Sequence, residues 1–142
     1  MKRIAILNGP NLNMLGTREP EVYGHKTLQD LEAEWVAFGK ENGAEITCLQ
    51  SNVEGELIDA IQAHGFDADA ILINPGGYTH TSVAIRDAIA AVDAPVFEIH
   101  ISHPDAREEF RKNSLVREVC AGGVSGLGVQ GYMAVLESLI TG

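Results

Sequence analysis

The chain has 142 residues, 45% hydrophobic and 21% charged, a size and balance that suit one globular domain spanning residues 1–142. The formal net charge of −10 argues against non-specific binding to nucleic acid, which depends on Lys and Arg neutralising phosphates, yet a locally basic pocket for a small anion remains open to an acidic protein. No apolar run approaches the roughly 20 residues of a membrane span. Met1-Lys2-Arg3 leads into a run too short for a signal peptide, so the expectation is a cytoplasmic protein that engages neither membrane nor nucleic acid.

Lys2 to Leu7 reads as a buried strand, with Ile4, Ala5, Ile6 and Leu7 ended by Asn8-Gly9-Pro10. The stretch from Asn8 to His25 is rich in Asn, Gly, Pro and Glu and fits neither period, and long loops of this kind are usually functional lids or disordered. Thr27 starts a helix as its N-cap, with Asp30 completing an acidic variant of the capping box. Leu28, Leu31, Trp35 and Phe38 form the inner face, and Asn42-Gly43 stops it. Ala44 to Leu49 is a second strand. Ser51 or Asn52 caps a second helix that turns Leu57, Ile58 and Ile61 inward. Asp69 to Asn74 is a third strand, ended by Pro75-Gly76-Gly77, and a third helix runs from Thr81 or Ser82 to Val92. Val96 to Ile101 is a fourth strand and Asp105 to Lys112 a short helix. Val119 to Val124 is the candidate fifth strand, despite nearby glycines, and Tyr132, Leu136 and Leu139 mark a closing helix.

Strands alternating with helices imply a parallel sheet covered on both faces. Right-handed crossovers then favour a flavodoxin-like, doubly wound, five-stranded α/β sheet, with ligands at the carboxyl ends of the strands. The polar residues gather there. Asn8, Asn11, Arg18 and Tyr23 follow the first strand; Asn74, Gly76, Gly77 and His80 follow the third; Glu98, His100, Ser102 and His103 belong to the fourth.

In Asn74-Pro75-Gly76-Gly77-Tyr78-Thr79-His80-Thr81-Ser82, the glycines let backbone approach a ligand and the next helix start favours an anion; an ordinary capped strand-to-helix turn has the same letters. Alternation puts Glu98 and His100 on one face of their strand. A carboxylate there orients the imidazole to pass a proton to a leaving group, although a purely structural pair looks the same in sequence. A metal shared by His80, His100 and His103 lacks a completing ligand. Cys48 and Cys120 stand apart in apolar stretches and read as reduced, buried thiols.

Tyr23 is a poor base as an ordinary phenol. Stabilising its phenolate by about 2.7 kcal/mol would bring it into range, and an arginine at ~4 Å supplies roughly 4 kcal/mol at an effective dielectric of about 20. Arg18 suffices if the loop closes; otherwise Tyr23 is an exposed loop tyrosine. Gly126-Leu127-Gly128-Val129-Gln130-Gly131 matches the dinucleotide fingerprint in letters, but no βαβ unit with a ribose-binding acid follows. Its glycines suit close strand–helix packing.

Asn8-Gly9-Pro10-Asn11-Leu12-Asn13, Gly16-Thr17-Arg18-Glu19-Pro20 and Tyr23-Gly24 resemble the opening of the type II dehydroquinases. The Asn74–Ser82 string with Arg86-Asp87, the Glu98–Ser102 string, Ala106-Arg107-Glu108-Glu109-Phe110-Arg111 and Gly126–Tyr132 continue the resemblance along essentially the whole chain. It implies anti elimination of water from 3-dehydroquinate to 3-dehydroshikimate in the shikimate pathway, with no cofactor and no metal. By the same resemblance Tyr23 removes the proton next to the ketone and Arg18 holds it as phenolate. A water near Asn11 and Tyr23 stabilises the enolate, and His100, oriented by Glu98, protonates the departing hydroxyl. Asn74 and the backbone at Ile101 and Ser102 hold the carboxylate, His80 and Arg111 bind ring hydroxyls, and Asp87 reaches in from a neighbouring subunit of a homododecamer built as four trimers.

The residues agree with that chemistry. Eliminating a β-hydroxy ketone needs a base, an acid and enolate stabilisation, while the lysines Lys2, Lys26, Lys40 and Lys112 lie away from the polar groups and offer no Schiff base. One departure stands out: the family often has an asparagine after Ser102 and a histidine before the Ala-Arg-Glu run, where this chain has His103 and Asp105 around Pro104. Two other classes fit the fold less well. A phosphoacceptor signalling domain needs acids where Asn8 and Asn74 stand, and a flavin carrier needs a Ser/Thr-rich phosphate loop in place of Asn8-Gly9-Pro10-Asn11. A degenerate, inactive homologue would lack some of the residues given roles above, and all are present.

Overall fold

The computed structural model describes residues 1–17, 21, 24–102 and 108–142. Five parallel strands, β1 (Lys2–Asn8), β2 (Ala44–Gln50), β3 (Ala70–Asn74), β4 (Val96–His100) and β5 (Gly122–Ser125), form one sheet in the order β2-β1-β3-β4-β5. That is the flavodoxin-like order, whose switch point lies between β1 and β3. Among the described residues, four helices cover it: α1 (Leu28–Glu41), α2 (Glu54–His64), α3 (Val83–Ala91) and α4 (Gln130–Thr141).

Alternation along the strands builds two cores. Ile4, Ile6, Leu72 and Ile99 face α1 and α4, where Trp35, Tyr132 and Leu136 meet them. Ala5, Leu7, Ile71, Ile73 and Val96 face α2 and α3, against Leu57, Ile61, Ile85 and Ile89. Burial on both faces explains why the strands read as apolar runs.

Local signals place most elements. Thr27 caps α1 in a complete capping box, accepting from Asp30 N at 3.1 Å while Asp30 accepts from Thr27 N at 3.0 Å. Ser82 caps α3 by accepting from Ile85 N at 2.9 Å.

Four expectations shift. Helix α2 begins after Val53, and neither Ser51 nor Asn52 is its cap residue. Ser51 accepts from Val53 N at 2.9 Å and donates to Glu56, bracing the helix start from outside it, while Asn52 Oδ1 accepts from Asn11 N at 2.9 Å and ties this turn to the loop after β1. The short helix expected over Asp105 to Lys112 is a 3-10 turn at Glu109–Lys112 where it is described. Leu12–Met14, inside the long stretch after β1, is a 3-10 turn whose Leu12 joins the core. The fifth strand starts later than Val119, because Arg117–Val119 is itself a 3-10 turn. Its glycines belong in the strand: a Cβ on Gly123 would collide with the Glu98 carbonyl, so close approach to β4 requires glycine there.

Candidate active site

Strand β4 carries Glu98 and His100 on the α2/α3 face, as alternation predicts, and both are buried. Nε2 of His100 lies 2.9 Å from Glu98 Oε2. Its N–H is turned off the line of a hydrogen bond, so the contact is an electrostatic one. The rest of the carboxylate is better held. Thr79 Oγ1 donates to Oε2, Ser114 Oγ stands 3.3 Å from the same oxygen, and Arg117 Nε lies 3.7 Å from Oε1. Thr79 has one hydrogen and gives it to Glu98, so Ser114, 2.7 Å away, is the donor between the two hydroxyls. Burial pushes the Glu98 carboxyl up, but His100, Thr79 and Arg117 outweigh it and hold the group below the usual carboxylate range. Glu98, His100, Arg117 and the β5 residues Gly122 to Ser125 line a pocket of about 320 Å³.

Thr79, Ser114 and Arg117 were not singled out from sequence as partners of Glu98. Thr79 lay inside a noted string but read as turn chemistry. Ser114 and Arg117 carry no local signal, because their partner is distant along the chain. Cross-links bring them in: Leu115 N donates to Thr79 O at 2.7 Å, and Arg86 Nη1 donates to Leu115 O at 2.8 Å and Glu118 at 3.0 Å.

The ends of β1 and β3 meet on the other face. Asn8 and Asn74 are paired in register, and Tyr132 of α4 bridges them. Asn74 Nδ2 donates to Tyr132 OH at 2.9 Å, and that hydroxyl donates to Asn8 Oδ1 at 2.5 Å. Gly76 N donates to Asn74 Oδ1 at 3.1 Å. Asn8 Nδ2 is buried without an acceptor among the described residues.

Asn11 holds a left-handed backbone (φ 72°), a conformation that asparagine tolerates; the residue is exposed and its backbone N–H donates to Asn52. Gly76 also has positive φ (59°) and packs on Pro10, so its missing Cβ serves the neighbouring loop; a Cβ on Gly77 would meet open space. His80 Nδ1 lies 2.6 Å from Asn113 O, and its ring meets the Phe110 edge. Arg111 sits 5.0 Å over the same Phe110 ring and pairs with Glu108 at 2.6 Å, so the structure gathers His80 and Arg111 around one aromatic side chain. The α3 start is met by Glu54, which accepts from Ser82 Oγ, so a carboxylate of the protein already stands at this helix end. Asp87 is exposed on α3, Ile101 is buried and Ser102 partly so. Arg18, Tyr23, His103, Pro104, Asp105 and Arg107 lie outside the described residues.

Cys48 and Cys120 are half-buried free thiols, each pushed up to about 12 mainly by burial, and thus unreactive at neutral pH. Among the described residues, no three His, Cys, Asp or Glu side chains gather as metal ligands, and no helix is long and apolar enough to cross a membrane.

A doubly wound α/β sheet that ends one strand in a carboxylate-backed imidazole defines a class of protein equipped for proton transfer at its carboxyl edge. Similarity narrows that class. The family described as Dehydroquinase class II matches residues 2–140. The chain is 51% identical over 140 residues to a 3-dehydroquinate dehydratase of Anoxybacillus flavithermus, covering 99% of this chain and 95% of that protein. It is 52% identical over 136 residues to a catabolic 3-dehydroquinase of Penicillium rubens, covering 96% and 88%. The type II dehydroquinase crystal structure from Propionibacterium acnes superposes with a TM-score of 0.95 at 40% identity, covering 100% and 98% of the two chains. The chain belongs to the class II dehydroquinase family.

Proposed function

We propose that the chain is a hydro-lyase that eliminates water from 3-dehydroquinate to give 3-dehydroshikimate, the reaction of the shikimate pathway. The observation that carries this reading is the buried Glu98 carboxylate 2.9 Å from His100 Nε2 beside a pocket. Glu98 is anchored by Thr79, which Ser114 holds in turn, so it keeps its place while His100 gives up a proton.

In the proposed step Tyr23, held as phenolate by Arg18, takes the proton from the carbon next to the ketone. The C–H electron pair moves into an enolate, which a water near Asn11 and Tyr23 stabilises. The enolate then collapses toward the β-carbon and expels its hydroxyl, which takes a proton from His100 and leaves as water. Asn74 with the backbone of Ile101 and Ser102 holds the substrate carboxylate, and these backbone contacts survive the His103–Asp105 departure because they do not depend on side chains. Gly76 and Gly77 leave room beside the ligand, His80 and Arg111 bind its hydroxyls, and Asp87 serves a neighbouring subunit. The working state is a cytoplasmic homododecamer of four trimers that needs no cofactor and no metal. Support for this assignment comes from the family membership and from the gathering of His80 and Arg111 on Phe110. A relative with a catabolic name and one without match at 52% and 51% identity, so the proposal concerns the reaction and not the direction of the pathway.

The test is ultraviolet absorbance after mixing chelator-treated protein with 3-dehydroquinate, since the product is a conjugated enone and the substrate is not. A rise that survives both chelator and borohydride is expected. No rise from folded protein would overturn the assignment, and a rise abolished by borohydride would replace His100 and Tyr23 with a Schiff-base route.

A further inference from the structure

The string Gly126–Tyr132 ends in Tyr132, a residue to which the proposed chemistry gives no part. Tyr132 is fully buried, stacked on Trp35 with ring centroids 4.4 Å apart. Gly131 lets it come so deep, because a Cβ there would stand 3.1 Å from Val124 on β5. The hydroxyl of Tyr132 then reaches the carboxyl ends of β1 and β3 together.

The direction of every hydrogen bond in this group follows from one backbone amide. Gly76 N–H can only donate, so the Asn74 atom facing it must be the oxygen. The Asn74 amide nitrogen therefore faces Tyr132, whose oxygen accepts. The single phenolic hydrogen is left for Asn8 Oδ1. A relay results, from Asn74 N–H through Tyr132 O–H to Asn8, and each bond polarises the next. Burial raises the Tyr132 phenol further above its ordinary range, so the donor stays protonated at every working pH. Nδ2 of Asn74 carries two hydrogens. Tyr132 uses one, and the other is left for an acceptor at the end of β3.

We infer that Tyr132 is a positioning residue: its hydroxyl fixes the Asn74 amide so that one N–H is presented to the carboxylate of the substrate. The inference rests on the proposed dehydratase reading. Tyr132 acts on binding of one anionic group and takes no part in proton transfer, so its loss raises KM and leaves kcat and its pH profile in place.

The experiment compares wild type with Tyr132→Phe, which removes only the hydroxyl. KM for 3-dehydroquinate is expected to rise about tenfold with kcat within about twofold. Two ligands sharpen the result: 3-dehydroshikimate and its counterpart with the carboxylate reduced to hydroxymethyl. The variant should lose about tenfold in affinity for the first and nothing for the second. In an Asn74→Ala background, Tyr132→Phe should add no further loss, because the two side chains act as one unit. Equal loss for both ligands, or a fall in kcat with unchanged KM, would overturn the inference and leave Tyr132 a packing residue. If Tyr132→Phe does not fold, Asn8→Ala, which removes the acceptor of the relay, must show the same ligand discrimination in smaller degree or the inference fails. Wild-type protein that does not turn over 3-dehydroquinate would bring down the functional reading first and this one with it. Active wild type with an unaltered variant would bring down this one alone.

Discussion

The sheet separates two polar groups that the sequence placed at one edge. On the α2/α3 face, the Glu98 carboxylate and the His100 imidazole stand together beside an open pocket, with a loosely aligned contact and a half-exposed arginine. On the α1/α4 face, Asn8, Tyr132 and Asn74 form a neutral relay deep in the core, with every bond direction determined by Gly76 N–H. The difference is instructive. A group that must exchange a proton needs access and some angular freedom, whereas a group that presents one hydrogen to an anion gains from rigidity. Low dielectric strengthens the relay and would penalise it severely if one member were lost.

The largest expected effect tests the charged side. His100→Ala and Tyr23→Phe should each lower kcat by about 10² to 10⁴, the range of general acid and base catalysis, with the chain still folded. If His100→Ala keeps near-normal turnover, the couple is structural and the contrast with the relay collapses. Thr79→Val comes next. It removes a buried donor to an ionised carboxylate, for which losses of about 1.5–3 kcal/mol are usual. The lower end is expected here because Ser114 already stands 3.3 Å from the same oxygen. Chemical denaturation reads this directly, and an unchanged midpoint would show that Glu98 needs no anchor.

The smallest effect concerns pH. Glu98 is held below the ordinary carboxylate range in the folded chain. Its stabilising contribution is therefore complete above the unfolded carboxyl value, near ~4.3, and is lost as pH falls through the lower folded value. Arg117→Met removes one of the groups that hold it down, so the acid limb of stability should move to higher pH. The guanidinium is half-exposed and 3.7 Å away, so solvent screens it and a shift of only about 0.3 pH unit is expected. Denaturation curves across the acid range would show it, and an unmoved limb would assign the charge of Glu98 to His100 and Thr79 alone.

Much of the molecule was determined by the sequence alone, because the relevant forces are local. Two-faced burial writes apolar runs into β1 and β3. Thr27 with Asp30 and Ser82 with Ile85 make caps within one helical turn. Alternation along a strand is enough to put Glu98 and His100 side by side. The tertiary structure decided what depends on partners distant along the chain. Asn52 looks like a cap, but a bond from Asn11 N in the loop after β1 draws it away from that role. The glycines of β5 look like strand breakers, yet contact with β4 demands one of them, Gly123. Asn8 and Asn74 read simply as edge asparagines until Tyr132, far along the chain, arrives on α4 and gives both a direction. Thr79, Ser114 and Arg117 become partners of Glu98 only when the segment after β4 folds back over α3. Local propensity cannot encode such meetings, since a hydrogen bond across the sheet depends on where the whole chain has placed its two ends.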